Sequence, residues 1–106
     1  MPAYRVSHLA ANDLRGINRY TAQHWGGRQA RAYYASLLQC FEMLAENPTL
    51  GIARPDVLEG YRSFLEGSHV IFYQSHGNTI RIVRVLHGNQ DVGRAFGSGG
   101  AAEPEQ

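Results

Sequence analysis

The chain has 106 residues, with ten basic and nine acidic side chains and a formal net charge of +1. This length allows one domain with a single core, and the nearly balanced charge argues against a dedicated nucleic-acid-binding protein. One cysteine, Cys40, excludes an intramolecular disulfide. A single cysteine favours a cytoplasmic setting, and because no apolar run approaches the roughly 20 residues of a membrane span, we expect no membrane contact.

The first half of the chain predicts a short strand followed by two helices. Met1–Val6 reads as a strand and lacks the charged-then-apolar order of a signal peptide. Ser7 is a suitable helix N-cap, and Pro48 ends the second helix. The short link at Gly26–Gly27 predicts an antiparallel αα-hairpin from about Ala10 to Glu46. The residues at helical spacing, of which we expect the large ones to be buried, are Ala10, Leu14, Ile17 and Thr21, then Ala30, Tyr34, Leu37, Phe41 and Leu44.

The second half predicts three strands. In order, the segments are a loop at Thr49–Gly60, a strand at Tyr61–Glu66, a hairpin of His69–Tyr73 and Ile80–His87, a short turn at Asp91–Phe96 and a disordered tail at Gly97–Gln106. The whole chain then folds as an α+β domain, residues 1–96, with the helix pair on one face of a mainly antiparallel sheet of about four strands.

Both faces of the predicted hairpin carry apolar side chains. With strict alternation, one face of the last strand holds Ile80, Ile82 and Leu86, and the other holds Val83 and Val85. A hairpin with one solvent-exposed face should instead alternate apolar and polar residues. The helices cover one face, so we expect a partner protein to cover the other.

The sequence contains no recognisable cofactor or metal motif. Gly26–Gly27 lacks the preceding strand and the following lysine of a phosphate loop. The five histidines form no i, i+4 pair on a predicted helix, and a single cysteine cannot form a CxxC ligand pair. Cys40 lies beside the apolar stripe of the second helix, where a buried structural thiol is expected.

His69 and His87 are expected to face each other across the hairpin. Near Arg62, Arg81 and Arg84, such a pair could act as acid and base on RNA. Asp91 is the only nearby carboxylate, so a structural or interface role for the histidines is favoured. Likewise, Tyr61, Phe64 and Phe72 could stack on bases, but sheet aromatics of this kind more often belong to a core.

An ordered series of short motifs resembles the ParE branch of the RelE/ParE toxins, from Tyr4 to about Arg94. The matching motifs are Tyr4-Arg5-Val6-Ser7, Ala11-Asn12-Asp13-Leu14, Ile17, Tyr20, Trp25-Gly26, Asn47-Pro48-x-x-Gly51, Gly60-x-Arg62-x-Phe64, His69-Val70-Ile71-Phe72-Tyr73 and Ile82-Val83-Arg84-Val85-Leu86-His87-x-x-x-Asp91. These toxins are halves of type II toxin–antitoxin pairs.

The resemblance implies one of two activities. RelE-type members cut mRNA on the ribosome, whereas ParE-type members inhibit DNA gyrase by protein–protein binding. This chain has Val70, Gln90 and Phe96 where RNA-cutting members tend to carry two arginines and a tyrosine. Valine cannot bind phosphate and phenylalanine cannot donate a proton, so a gyrase inhibitor that is not an enzyme is favoured. The alternatives are a RelE-type ribonuclease and a non-toxic binding module of the same fold.

The resemblance also implies two interaction sites and no cofactor or metal. A ParD-like antitoxin is expected to fold onto the exposed sheet face, where an acidic segment would meet arginines. Candidate antitoxin contacts are Tyr61, Arg62, Phe64, His69, Ile71, Tyr73 and Arg81. Candidate determinants of toxicity towards gyrase are Arg84, His87, Asp91 and Arg94, with Arg84 expected to lie against Asp91.

Overall fold

Two long helices lie on one face of a five-stranded sheet. The computed structural model describes residues 3–96. The elements are β1 (Ala3–Val6), α1 (His8–Trp25), α2 (Gly27–Glu46), β2 (Ile52–Ala53), β3 (Tyr61–Glu66), β4 (His69–His76), β5 (Thr79–His87) and α3 (Val92–Ala95). The tail for which we predict disorder, Gly97–Gln106, lies outside the described residues. Across residues 3–96, no helix combines the length and the hydrophobicity that crossing a bilayer requires.

The sheet is mixed, with the strand order β1-β5-β4-β3-β2. β1 is parallel to β5, and the other neighbours pair antiparallel. The predicted α+β class is therefore confirmed, with five strands instead of about four. The additional strand, Ile52–Ala53, lies in the segment predicted to be a loop. Two residues are too few to show the alternation that identifies a strand in a sequence. Ile52 and Ala53 form a strand through their pairing with β3.

The helix pair is attached to the sheet at its first residue. The Ser7 hydroxyl accepts a hydrogen bond from the Ala10 backbone N–H at 3.0 Å and donates one to the Val83 carbonyl at 2.8 Å. It therefore caps α1 and joins that helix to β5. Gly26 alone separates α1 from α2, and its φ of +91° is a conformation that favours glycine. The chain can reverse direction there without a longer loop.

The inner cluster is the core between the helices and the sheet. It contains Ala10, Leu14, Leu37, Cys40, Phe41, Leu44, Ala45, Ile71, Tyr73, Ile80, Ile82 and Val85. Its leucines and phenylalanine from α1 and α2 are buried as predicted, and Ile17 is partly buried. Tyr34, however, is 40% exposed. Instead of Tyr34, the neighbouring Tyr33 faces the sheet. Its hydroxyl donates to the Glu66 carbonyl of β3 at 3.0 Å.

The opposite face of the sheet is covered largely by the chain itself. The outer cluster contains Tyr61, Phe72, Val83, Leu86 and Phe96, with Val57, Val70, Val92 and Ala95 packed against it. The expectation that a partner must cover this face is therefore wrong for its centre. The short α3 segment and the loop before β3 supply the cover, although neither has the amphipathic length that would reveal such a role in the sequence.

A β-bulge decides which side chains face the helices. Phe72 pairs with Arg84 but Tyr73 pairs with Ile82, so Val83 is an extra residue in β5. Beyond it the alternation is inverted, because one inserted residue exchanges the two faces. Val85 consequently lies in the inner cluster and Leu86 in the outer one, the reverse of the predicted assignment.

Truncation of the α2 stripe tests the inner cluster. Leu37→Ala and Phe41→Ala should each lower the free energy of unfolding by roughly 2–5 kcal/mol, because each leaves a cavity at a fully buried position. Gln39→Ala, at an exposed position of the same helix, is the control and should change it little. Denaturant unfolding measures all three, and near-zero losses at both core positions would contradict the packing described here.

Candidate functional site

Arg84 binds Asp13 of α1, not Asp91 as expected from the sequence. Its Nε donates to Asp13 Oδ2 at 2.8 Å and its Nη2 to Oδ1 at 2.9 Å, and each side chain is 14% exposed. Arg84 Nη1 also donates to the Ala95 carbonyl at 2.8 Å. Asp13 Oδ2 further accepts the backbone N–H of Val85 at 2.9 Å. This network joins α1, β5 and α3, so Arg84 has a structural role.

The other three candidate determinants of toxicity lie at the surface near the end of β5. The Asp91 carboxylate caps α3 by accepting the Arg94 backbone N–H at 3.3 Å. The side chains of Arg94 and His87 are exposed. The Gln90 side chain accepts the backbone N–H of His87 at 2.9 Å, which holds the turn after β5 against the strand end. These residues form a continuous terminal segment.

The predicted antitoxin contacts divide into buried and accessible residues. Tyr61 is 2% exposed, and Ile71 and Tyr73 are fully buried. The direct-contact hypothesis is therefore wrong for these three, because the chain itself occupies their surroundings. The Tyr73 hydroxyl, for instance, accepts the Gly51 N–H at 2.9 Å and donates to the Pro48 carbonyl at 2.7 Å.

The remaining candidates keep some accessible surface. Arg62 donates to the Gly51 carbonyl at 2.6 Å, beside the short strand β2. Phe64 packs against the rim of the inner cluster. His69 and Arg81 are likewise neither fully buried nor fully exposed. Their assignment to an antitoxin interface stays a prediction.

His69 and His87 face each other, as predicted. The two residues are directly paired across β4 and β5, and their ring centroids lie 5.5 Å apart at 86°. Burial, and then the neighbouring His87, lower the pKa of His69 below its ordinary value, so its ring is neutral at pH 7. Asp13 favours the charged form, but its carboxylate already accepts three hydrogen bonds.

Hydrogen bonds indicate which ring nitrogen of each histidine carries a proton. Tyr33 gives its single hydroxyl proton to the Glu66 carbonyl, so its 2.8 Å contact with His69 Nδ1 requires a proton on that nitrogen. His87 Nδ1 accepts the Asn89 backbone N–H at 3.1 Å and therefore carries none. As a result, Nε2 of His69 is an acceptor and Nε2 of His87 is a donor.

A cleft of about 650 Å³ contains this histidine pair. Gly16, Tyr20 and Trp25 of α1 line one side, and Tyr33 of α2 lines another. Tyr20 is 60% exposed and Trp25 is 71% exposed. Sequence reasoning missed this cleft, because its walls come from segments far apart in the chain. Exposed aromatic residues off the apolar stripe of α1 were the available signal.

Metal and thiol chemistry receive no support from the described residues. Within residues 3–96, no group of three or more histidine, cysteine, aspartate or glutamate side chains is arranged to hold a metal ion. Cys40 is buried in the inner cluster, and burial raises the pKa of its thiol to about 11. It therefore stays protonated and unreactive at neutral pH.

Comparison with known proteins identifies the family. The family model described as the ParE toxin of the type II toxin–antitoxin system parDE matches residues 4–92. The chain belongs to the ParE toxin family. It is 42% identical over 87 residues to Toxin ParE1 of Caulobacter vibrioides, covering 82% of this chain and 90% of that protein.

Further relatives span nearly the same range. Toxin ParE1 of Mycobacterium tuberculosis is 39% identical over 92 residues, covering 86% of this chain and 94% of that protein. Toxin ParE of Escherichia coli is 34% identical over 95 residues, covering 87% and 90%. A chain from the structure of the chromosomal ParDE system of P. aeruginosa is 20% identical, with a TM-score of 0.69 over 82% of this chain and 96% of that one, and supports the fold.

Removal of the Asp13 carboxylate tests the structural role of Arg84. Asp13→Asn should lower the free energy of unfolding by roughly 3 kcal/mol, because it leaves a largely buried guanidinium without its counter-ion. The matched control is Asp56→Asn, which breaks the more exposed ion pair with Arg54 and should have little effect. Denaturant unfolding distinguishes them. A loss in Asp91→Asn with none in Asp13→Asn would favour the pairing that the sequence suggested.

Proposed function

We propose that this ParE-family toxin acts in the cytoplasm, inhibits DNA gyrase by protein–protein binding, and is neutralised by a cognate ParD-like antitoxin. The observation that carries the proposal is the family match across residues 4–92, together with relatives named as ParE toxins along most of the chain. Toxicity then requires no bond chemistry by the toxin and no cofactor.

The geometry around the histidines supports binding over catalysis. Asp13, the carboxylate that lines their cleft, is occupied by Arg84 and the Val85 N–H, so it is poorly suited to orient either ring as a base. Phe96 is 8% exposed in the outer cluster, where RNA-cutting relatives are expected to carry a tyrosine. Val70, on the same face of the sheet, packs against that cluster as well.

The terminal segment is the proposed gyrase contact. His87, Asp91 and Arg94 are exposed there, while the largely buried Arg84 joins β5 to α3. The exposed Arg94 suits a protein interface, because arginine presents a planar set of donors. Arg84 is therefore proposed as a positioning residue, and Arg94 and His87 as direct contacts.

An apolar edge patch is the proposed antitoxin site. It consists of Leu50, Ile52, Leu58 and Leu65, which are 48%, 73%, 38% and 65% exposed. β2 is the last strand of the sheet on this side, so its outer edge can accept an added strand. Arg62 lies beside it, and this charge favours an acidic, apolar segment that orders on binding.

Arg94→Glu tests the gyrase contact. The variant should fold normally, because the side chain at position 94 is exposed. About tenfold more of the variant than of the wild type should be needed to trap cleaved DNA with purified gyrase. Arg19→Glu, on the exposed face of α1, is the matched charge-reversal control and should retain full activity. Cleavage of mRNA on ribosomes by the wild-type toxin, with gyrase unaffected, would overturn the proposal and favour the ribonuclease alternative.

Charge insertion tests the antitoxin site. Ile52→Asp and Leu65→Asp should each weaken antitoxin binding by about tenfold or more, since each places a carboxylate where an acidic segment is expected. Hydrogen exchange of the wild-type complex should show new protection along β2 and β3. Trp25→Asp, which also places a carboxylate at an exposed apolar residue, is the control outside the patch. Protection confined to residues 97–106 would contradict this site.

A further inference from the structure

The cleft that contains His69 and His87 has the features of a small-ligand site. Its volume of about 650 Å³ falls within the range of ligand-binding pockets. Neither histidine contributes Nε2 to any hydrogen bond within residues 3–96, although the other nitrogen of each ring is held. The two paired rings therefore bring an acceptor on His69 and a donor on His87 to the lining of the cleft.

The lining of the cleft restricts the ligand to an uncharged one. No arginine or lysine is among its described lining residues. Asp13, the carboxylate in the lining, has both oxygens occupied by Arg84 and Val85. A phosphate would find no counter-ion there and a cation would find no free carboxylate, so neutral polar groups fit best.

The aromatic residues at the cleft restrict the shape of the ligand. Tyr20, Trp25 and Tyr33 line it, and the rings of Tyr20 and Trp25 are largely exposed, although one face of Tyr20 stacks on His24. Exposed aromatic faces bind flat rings by stacking, and the favourable free energy of stacking does not depend on the identity of the ring. A planar ring with a donor beside an acceptor on one edge would meet both the aromatic faces and the two histidines.

We propose that this cleft binds a nucleobase, with a lactam-type N–H donating to His69 Nε2 and the adjacent carbonyl accepting from His87 Nε2. The ring then stacks on Tyr20 or Trp25, and the sugar points out of the cleft. The base can come from a free nucleoside or from an unpaired position of a single strand, because both present the same ring and edge. The inference goes beyond gyrase inhibition and does not depend on it.

Uridine is the probe, and Trp25 is the reporter. Trp25 is the only tryptophan of the chain, so its fluorescence reports on this cleft. Uridine should quench it saturably, with a Kd on the order of 0.1–1 mM for a ligand of this size. 3-Methyluridine, which lacks the N–H of the lactam edge, should bind at least tenfold more weakly.

Two variants remove the site in different ways. A Cβ at Gly16 meets no atom within 4 Å, so Gly16→Leu should place its side chain in the cleft without a clash and weaken uridine binding at least tenfold. Gly16→Ala leaves most of the space open and should bind like the wild type. His87→Phe keeps a ring at an exposed position but loses the donor, and should also weaken binding at least tenfold.

The source of the base follows from a comparison with single-stranded hexauridylate. If hexauridylate binds at least tenfold more tightly than uridine, and Gly16→Leu weakens its binding, the site takes bases from a strand. Equal affinities for hexauridylate and uridine support the free nucleoside. Absence of saturable quenching by both probes overturns the proposal. Equal quenching of the wild type and of Gly16→Leu, with unchanged melting temperatures, overturns it as well. Neither gyrase nor antitoxin is present, so failure here leaves the proposed toxicity untouched.

Discussion

The bidentate ion pair between Arg84 and Asp13 is the interaction on which the rest of the structure depends. Within residues 3–96, β1 pairs with β5 from Thr79 to Ile82, and the chain then turns into α1. Beyond that point, α1 supplies the missing partners of β5. The Ser7 hydroxyl binds the Val83 carbonyl, and the Asp13 carboxylate binds the Val85 N–H. Side chains of a helix thus complete a strand edge that would otherwise be left with unpaired polar groups.

The same arginine organises the other side of the sheet. By donating to the Ala95 carbonyl, Arg84 holds α3 where Phe96 can cover Phe72 and Tyr61. The outer cluster is therefore closed by the chain, and its apolar residues are not a general docking face. On the sheet, the large apolar side chains that stay exposed, Ile52 and Leu65, lie on β2 and β3. The proposed antitoxin site and the proposed gyrase contact therefore lie on separate surfaces, so a mutation in one need not disturb the other.

The histidine cleft adjoins the terminal segment. Its lining includes His87, the last residue of β5, and residues of α1, which the Asp13 carboxylate holds against that strand. Burial and the adjacent His87 lower the pKa of His69, so this ring is a hydrogen-bonding group and not a fixed positive charge. A ligand bound there would contact elements that also carry the terminal segment.

Local patterns in the sequence determined the elements, the family and much of the inner cluster. Ser7 before α1, Pro48 after α2 and the Leu37–Phe41–Leu44 stripe are features of short range, and spacing alone reveals them. Only the tertiary structure decided what covers the outer face and which residues remain accessible. The bulge at Val83 exchanged the faces of Val85 and Leu86, and the partner of Arg84 proved to be 71 residues away. An inserted residue inverts every later position of a strand, and ion-pair partners distant in sequence become neighbours only after folding, so neither leaves a periodic signal in the chain.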